Sequence, residues 1–377
     1  MQLSTNRRKM GMKRNPLPLL FCLLLLYTSL VNAGRLPTQY HVVDLGVGTF
    51  PQVLDDDGTF ILQGPDGYTW RTVKNPLVAS AVLAASGAPN GVFPNAILHG
   101  VVVGQSRDHA TLWRLGQPPL DLGTLGSAVL YSSAHALSQN VIVGACSSAT
   151  ALGAPTVPCF WSRVRSTPGK AQPLPTLGGP GGSANAATPD GFLCGTTDTT
   201  TRIQHATCWN QGRPLDLTPT EPLGSWVEGV TKTHLVLGGS FFADAHFRAQ
   251  PFVWTPHGGL VRLGILPGHA RAFLTAIAGG GHPVAVGVSC RDAPDEERCI
   301  GVRMQLDETG HGTMEALQGM LDTPHLLLTE TLGVNTHGVI TGVGIGPDFR
   351  GHGLLLVPVG GDTNDDDNNN NDDPEDD

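Results

Sequence analysis

The chain has 377 residues, of which 49 are glycine and 29 proline, with 6% aromatics and a formal net charge of −9. An acidic balance of that kind excludes the basic face that nucleic acid or an anionic membrane surface requires. So much glycine and proline suits many tight turns between short strands around an aliphatic core.

Residues 1–33 read as a signal peptide. Arg7, Arg8, Lys9, Lys13 and Arg14 form a basic region, Leu17 to Val31 is an apolar stretch that includes Cys22, and Val31-Asn32-Ala33 is a small-residue cleavage signal. The apolar stretch is shorter than the roughly 20 residues of a membrane span, although an uncleaved anchor is the alternative. Cleavage removes five positive charges and no acids, leaving −14. It also sends the chain to the medium, the periplasm or the cell surface, with no membrane span in the mature protein. The body runs from residue 34 to 361, and the tail from 362 to 377 (DTNDDDNNNNDDPEDD) has no apolar residue, so it is expected to be disordered. Weak capture of Ca²⁺ by its carboxylates is the sharper alternative to a solubilising role.

The body opens on Tyr40–Gly46 (YHVVDLG), a strand-like stretch with no strands of its own before it. Thr59–Gly64 and Tyr68–Trp70 follow as weak versions of a unit that is clearest between Ala96 and Gly126. There, Ala96–Leu98 is a first strand, His99-Gly100 a hairpin turn, and Val101–Gly104 a buried second strand. After a polar loop, Ala110–Trp113 is a third strand and Leu120–Gly123 a fourth. The apolar strand ending in glycine returns at Val141–Gly144, Phe192–Gly195, Leu235–Gly238, Val284–Gly287 and Val339–Gly342. The third-strand tryptophan returns as Trp161, Trp209 and Trp254, and successive Trp positions from Trp70 lie 43, 48, 48 and 45 residues apart. Four strands per repeat at a period in the forties predict a β-propeller blade. The glycine strand occurs seven times and the third strand seven times, but a fourth strand follows a third strand only six times. The orphan fourth strand is Tyr40–Gly46, which predicts an all-β, seven-bladed propeller closed by its N-terminal strand. Gly178–Gly182 (GGPGG) reads as a connection between blades.

Six cysteines remain after the signal, an even number that suits disulfides in an exported chain. Each consecutive pair straddles the loop between second and third strands of one repeat, which predicts Cys146–Cys159, Cys194–Cys208 and Cys290–Cys299. In the first of these repeats, a register that places Gly144 opposite Trp161 also places Cys146 opposite Cys159. No CxxC or HxxxH spacing supports a metal instead.

The DLGTLG motif (Asp121–Gly126), the turn Val334-Asn335-Thr336-His337-Gly338 and the repeated His-Ala-x-x-Trp strand resemble the HAF family of bacterial extracellular repeat proteins. That family is named for a His-Ala-Phe triplet. Here the triplets are His109-Ala110-Thr111 and His205-Ala206-Thr207, with Thr in place of Phe. The resemblance spans Tyr40 to about Pro358 and implies an exported repeat protein of propeller form. It brings no activity and no catalytic residues. His109 and His205 read as structural residues that hydrogen-bond within each blade.

With the first strand innermost, the loops between second and third strands share one face of the disc. Several place an acid beside a base: Arg107 with Asp108, Asp198 with Arg202, Asp244 with His246 and Arg248, Asp292 with Arg298, and Asp348 with Arg350. Such loops on a rigid scaffold suit recognition of an extracellular glycan, peptide or protein. Solvated loop charges are the bland reading. Asp292, Asp295, Glu296 and Glu297 offer carboxylates for a polysaccharide-active enzyme, without a recognisable glycosidase constellation. Ser-His-Asp sets, Walker loops and dinucleotide fingerprints are absent from the sequence. The expectation is a monomeric binding module with no catalytic residue, cofactor or metal; an enzyme and a structural matrix protein are the alternatives.

Overall fold

Seven antiparallel sheets make a seven-bladed β-propeller, and five of them have four strands in sequence order. The third sheet has two short outer pieces, Thr167–Pro168 and Gln172–Pro173, that both pair with its third strand, and the seventh takes its fourth strand from the N-terminus. The computed structural model describes residues 36–83, 91–126, 130–147, 154–164, 167–241, 248–279, 282–291 and 298–359. The signal segment, the acidic tail and the loop residues Asp244, His246, Asp292, Asp295, Glu296 and Glu297 lie outside them. The body from Pro37 onward is one compact unit. Among the described residues no helix is long and apolar enough to cross a membrane.

Blades 1 to 7 begin with the first strands Phe50–Leu54, Val92–Leu98, Ser132–Leu137, Gly178–Ala187, Ser225–Val230, Arg271–Ala278 and Leu327–Val334. Each of these touches the first strand of the next blade, and the last touches the first, so they encircle the axis. The N-terminal strand Tyr40–Val47 pairs antiparallel with Gly351–Pro358, Tyr40 opposite Pro358, and so supplies the fourth strand of blade 7. Closure of this kind joins the two ends of the chain in one blade and leaves only the short inner and outer edge of each blade. The closing strand is also tied sideways. Arg303 of blade 6, 4% exposed at its side chain, donates to Tyr40 Oη at 3.0 Å, to the Pro37 carbonyl at 2.7 Å and to Glu315 at 3.0 Å.

The core is split among the blade interfaces. Seven buried clusters each join two neighbouring blades; one, for example, packs Leu237 and Val253 of blade 5 on Leu274 and Met304 of blade 6. Burial of this kind gains about 25 cal/mol per Å² of apolar area. That gain exists only when a neighbour is present, so no blade is stable by itself.

In blades 2 to 6 the recurring glycine of the second strand has a single cause; in blade 1 the residue at that place is Leu62, opposite Pro51, and Gly64 lies in open space at the strand end. The first strand of each blade carries a β-bulge, skipping Gln52, Asn95, His135, Asn185, Glu228 and Thr275 in blades 1 to 6 and two residues in blade 7. The bulge pushes a carbonyl onto the facing glycine. A Cβ at Gly104, Gly144, Gly195, Gly238 or Gly287 would lie between 1.9 and 2.2 Å from the oxygen of Phe93, Ser133, Ser183, Trp226 or Phe273 respectively. In these five blades only glycine admits so close an approach.

The His-Ala-Thr triplets are structural, as expected. His109 Nδ1 donates to Asp121 Oδ2 at 2.7 Å, and His205 Nδ1 to Asp216 Oδ2 at 2.9 Å. The other oxygen of each aspartate accepts the backbone N–H two residues on, from Gly123 and Thr218. A serine of the next blade, Ser132 or Ser225, then accepts the N–H of the triplet alanine. Third strand, fourth strand and next blade are thus fastened at one knot. Blade 7 repeats it with His352 and Asp44, where His352 Nε2 also faces Asp348 at 3.0 Å.

Two carboxylates flanking one imidazole hold the His352 pKa above the ordinary 6.5, Asp44 being the larger cause. A raised folded-state value means the stabilisation is complete below the unfolded pKa and is lost as pH rises through the folded one. The melting temperature is expected to fall as pH rises above the ordinary imidazole value of about 6.5, and His352→Gln should flatten that slope in a pH series of thermal melts. An unchanged slope would remove His352 from the pH response.

Two expectations are corrected. Gly178–Gly182 is not a connection but the start of the innermost strand of blade 4, Gly178–Ala187. Bare glycines let it lie close, a Cβ at Gly179 falling 2.3 Å from the Thr199 oxygen. All three disulfides form as paired from the sequence, with Cα–Cα separations of 5.9, 4.0 and 4.1 Å. The register at the first, however, is shifted by two: Gly144 faces Cys159 and Cys146 faces Val157. Trp161 faces Ile142, two before the glycine, just as Trp113 faces Val102 and Trp209 faces Leu193. Met304 faces Ala285 and Leu356 faces Ile340 in the same way, so this register belongs to the repeat with or without a tryptophan, and Cys146–Cys159 spans it diagonally.

Candidate ligand-binding surfaces

The first surface is the face bearing the loops between second and third strands. Arg107 and Asp108 form a tight turn in blade 2, Arg107 at φ 59°, and line a cleft of about 300 Å³ with His109, Thr111 and Asp121. In blade 4, Asp198 closes the second strand opposite Gln204, and Arg202 turns the chain at φ 64°. Arg248 lies just before the third strand of blade 5, and Arg298 faces Arg291 across blade 6. In blade 7 the side chain of Asp348 accepts from His352 and from the Arg350 backbone N–H, so it serves the turn and the clasp before any ligand. Arg107 with Asp108 and Asp348 with Arg350 each share one turn of their own blade.

The axis is the second surface. The bulge residues reach from blade to blade: Asn95 Nδ2 donates to the Ala134 carbonyl at 2.8 Å, Asn185 Nδ2 to that of Val227 at 3.2 Å, and Thr275 Oγ1 to that of Thr331 at 2.9 Å. His135 Nδ1 meets Asn185 Oδ1 at 3.1 Å. Glu228 keeps solvent contact, but the crowding of the surrounding inner strands raises its pKa, as burial raises that of Glu330 and lowers that of His135. Asn95, His135, Asn185 and Thr275 thus hold the ring together before they offer anything to a ligand, whereas Glu228 accepts from Trp226 of its own strand.

The third surface lies on the opposite face, where the tight hairpins emerge. Between blades 4 and 5 they enclose an open cleft of about 710 Å³, lined by Asp190, Phe192, Asn210, Gln211, His234 and Trp254. Its wall is built across the blade boundary: His234 Nε2 donates to Asp190 Oδ2 at 2.8 Å, and the His234 ring lies 4.5 Å from that of Phe192. The Thr188 hydroxyl and then His234 hold the Asp190 carboxyl below its usual range. Sequence reasoning missed this cleft, because it treated Trp254 as one more strand tryptophan and gave no role to the turn at His234. His352 was missed too, although it stands four residues before Leu356 as His109 stands before Trp113. Among the described residues, no group of three or more His, Cys, Asp or Glu gathers as a metal site would require.

No protein-family model matches this chain, and no curated protein matches it. Among solved structures it is similar to a puromycin-hydrolyzing peptidase of Mycobacterium tuberculosis at 14% identity and TM-score 0.46, covering 87% of this chain and 55% of that one. It is similar to a puromycin hydrolase at 14% identity and TM-score 0.47, covering 86% and 52%. An ancestral GH74 enzyme matches at 11% identity and TM-score 0.35, covering 80% and 54%. The chain thus spans just over half the length of these proteins.

Proposed function

We propose that this protein is an exported, HAF-like binding module that recognises an extracellular glycan, peptide or protein on its loop face without transforming it. Export is supported by the three disulfides, which suit an oxidising compartment. The observation that carries the choice of face is the placing of two of those bridges. Cys290–Cys299 lies one residue pair from the end of its strands, and Cys146–Cys159 ties the same ends in blade 3. Loops rooted on covalent cross-links lose less entropy when a ligand orders them. Arg107 and Asp108 on their own lip offer opposite charges at short range. The test is to incubate the oxidised mature protein with a panel of polysaccharides and score retention and product release together. Retention without released oligosaccharide, weakened about tenfold or more by Arg107→Ala with Asp108→Ala, is expected. Released oligosaccharide would overturn the reading in favour of an enzyme.

A further inference from the structure

Blades 4 and 5 depart from the repeat in three ways, and all three departures meet at the hairpin-face cleft. The first concerns tryptophan. Trp70, Trp113, Trp161 and Trp209 are 4% exposed or less, whereas Trp254, at the same repeat position, is only half-buried and lines the cleft.

The second concerns the turn between first and second strands. In blades 1, 4 and 7 that turn is closed by the N–H of a glycine, Gly58, Gly191 or Gly338, at φ between 75° and 89°. In blade 5 the same hydrogen bond is made by His234, held at φ 63°. A non-glycine residue in that region is strained, and such outliers gather at functional sites. The fold does not need a side chain here, since three sister turns do without one.

The third departure is the disulfide of blade 4. Cys194 faces Cys208 next to the Leu193–Trp209 pair, at the end of the strands away from the long loop. It therefore stiffens the ends that carry Phe192 and Asn210, both of which line the cleft.

The chemistry of the lining selects a ligand class. A half-buried indole and a phenyl ring lining one cleft can stack on the apolar C–H face of a pyranose. Carboxylate, carboxamide and imidazole groups at its rim can take the adjacent hydroxyls, each sugar hydroxyl both donating and accepting. The ionised Asp190 carboxylate disfavours an anionic ligand, which leaves a neutral one. The volume lies inside the range of small-molecule sites, and an open cleft lets a chain run through it.

We propose that the cleft between blades 4 and 5, walled by Trp254 and Phe192 and rimmed by Asp190, Asn210, Gln211 and His234, binds a neutral saccharide. The site is separate from the loop-face reading above, on the opposite side of the disc. The experiment titrates the oxidised protein with cellohexaose, laminarihexaose and chitohexaose, following tryptophan emission and binding heat. At least one of the three is expected to bind and shift the emission, and Trp254→Ala should weaken it about tenfold or more, with Trp254→Phe recovering part of the loss. His234→Gly installs the residue the sister turns use, so it should melt at or above the wild-type temperature while losing several-fold in affinity. Absence of binding by all three hexasaccharides, or binding that survives Trp254→Ala, would overturn the proposal.

Discussion

Deleting residues 37–47 is expected to leave a protein that no longer melts cooperatively and that self-associates. The segment carries the whole fourth strand of blade 7, and with it Tyr40, Val42 and Leu45, which are 1%, 8% and 7% exposed. Losing three buried side chains at roughly 1.5–3 kcal/mol each removes about 6 kcal/mol, a large share of the ~5–15 kcal/mol typical of a domain. The truncation also strips Arg303 of the Pro37 carbonyl and the Tyr40 hydroxyl, leaving a buried guanidinium short of acceptors. Finally it exposes the edge of Gly351–Pro358, whose Leu354, Leu355 and Leu356 are fully buried in the closed ring. An apolar strand with unpaired N–H and C=O groups is a template for another chain. Thermal melting and sedimentation read both effects, and a synthetic peptide of residues 37–47 should restore the monomer. A truncated protein that stays monomeric and melts within a few degrees of wild type would show that the ring closes without this strand.

Replacing Gly144 by alanine is expected to cost about 3 kcal/mol or more, the upper end for forcing extra volume into a packed site. The new Cβ would sit 1.9 Å from the Ser133 carbonyl oxygen and 2.9 Å from its carbon, both backbone atoms of the neighbouring strand. No side-chain rotation relieves that contact; the bulge at His135 has to flatten or the strands must part. Gly264→Ala is the control, since nothing lies within 4 Å of a Cβ there and surface changes of that kind stay within about 0.5 kcal/mol. Denaturant unfolding of both variants gives the comparison. Equal midpoints would mean that the bulge adapts at little cost, and the glycine of the repeat would then need another explanation.

Blade number, closure by the N-terminal strand and the pairing of all six body cysteines follow from the repeat, because each depends on counting and order along the chain. A strand is either present or missing, and two cysteines in one repeat share one sheet. The structural roles of His109 and His205 were legible for the same reason, since a residue recurring at a fixed place is the scaffold's own. Register was not legible. It depends on which side chains pack where across the blade, and Trp161 lies opposite Ile142, two residues from the Gly144 pairing that the cysteines suggested.

The hairpin-face cleft lay furthest from view. Asp190 and His234 are 44 residues apart, in turns that look as ordinary as any other, and the half-burial of Trp254 shows only against four buried counterparts. A sequence repeat specifies what the blades have in common, through backbone pairing and periodic burial that are local along the chain. How two particular blades differ where they meet is decided by the ring, because the packing angle and the hydrogen bonds between hairpins exist only once distant repeats stand side by side.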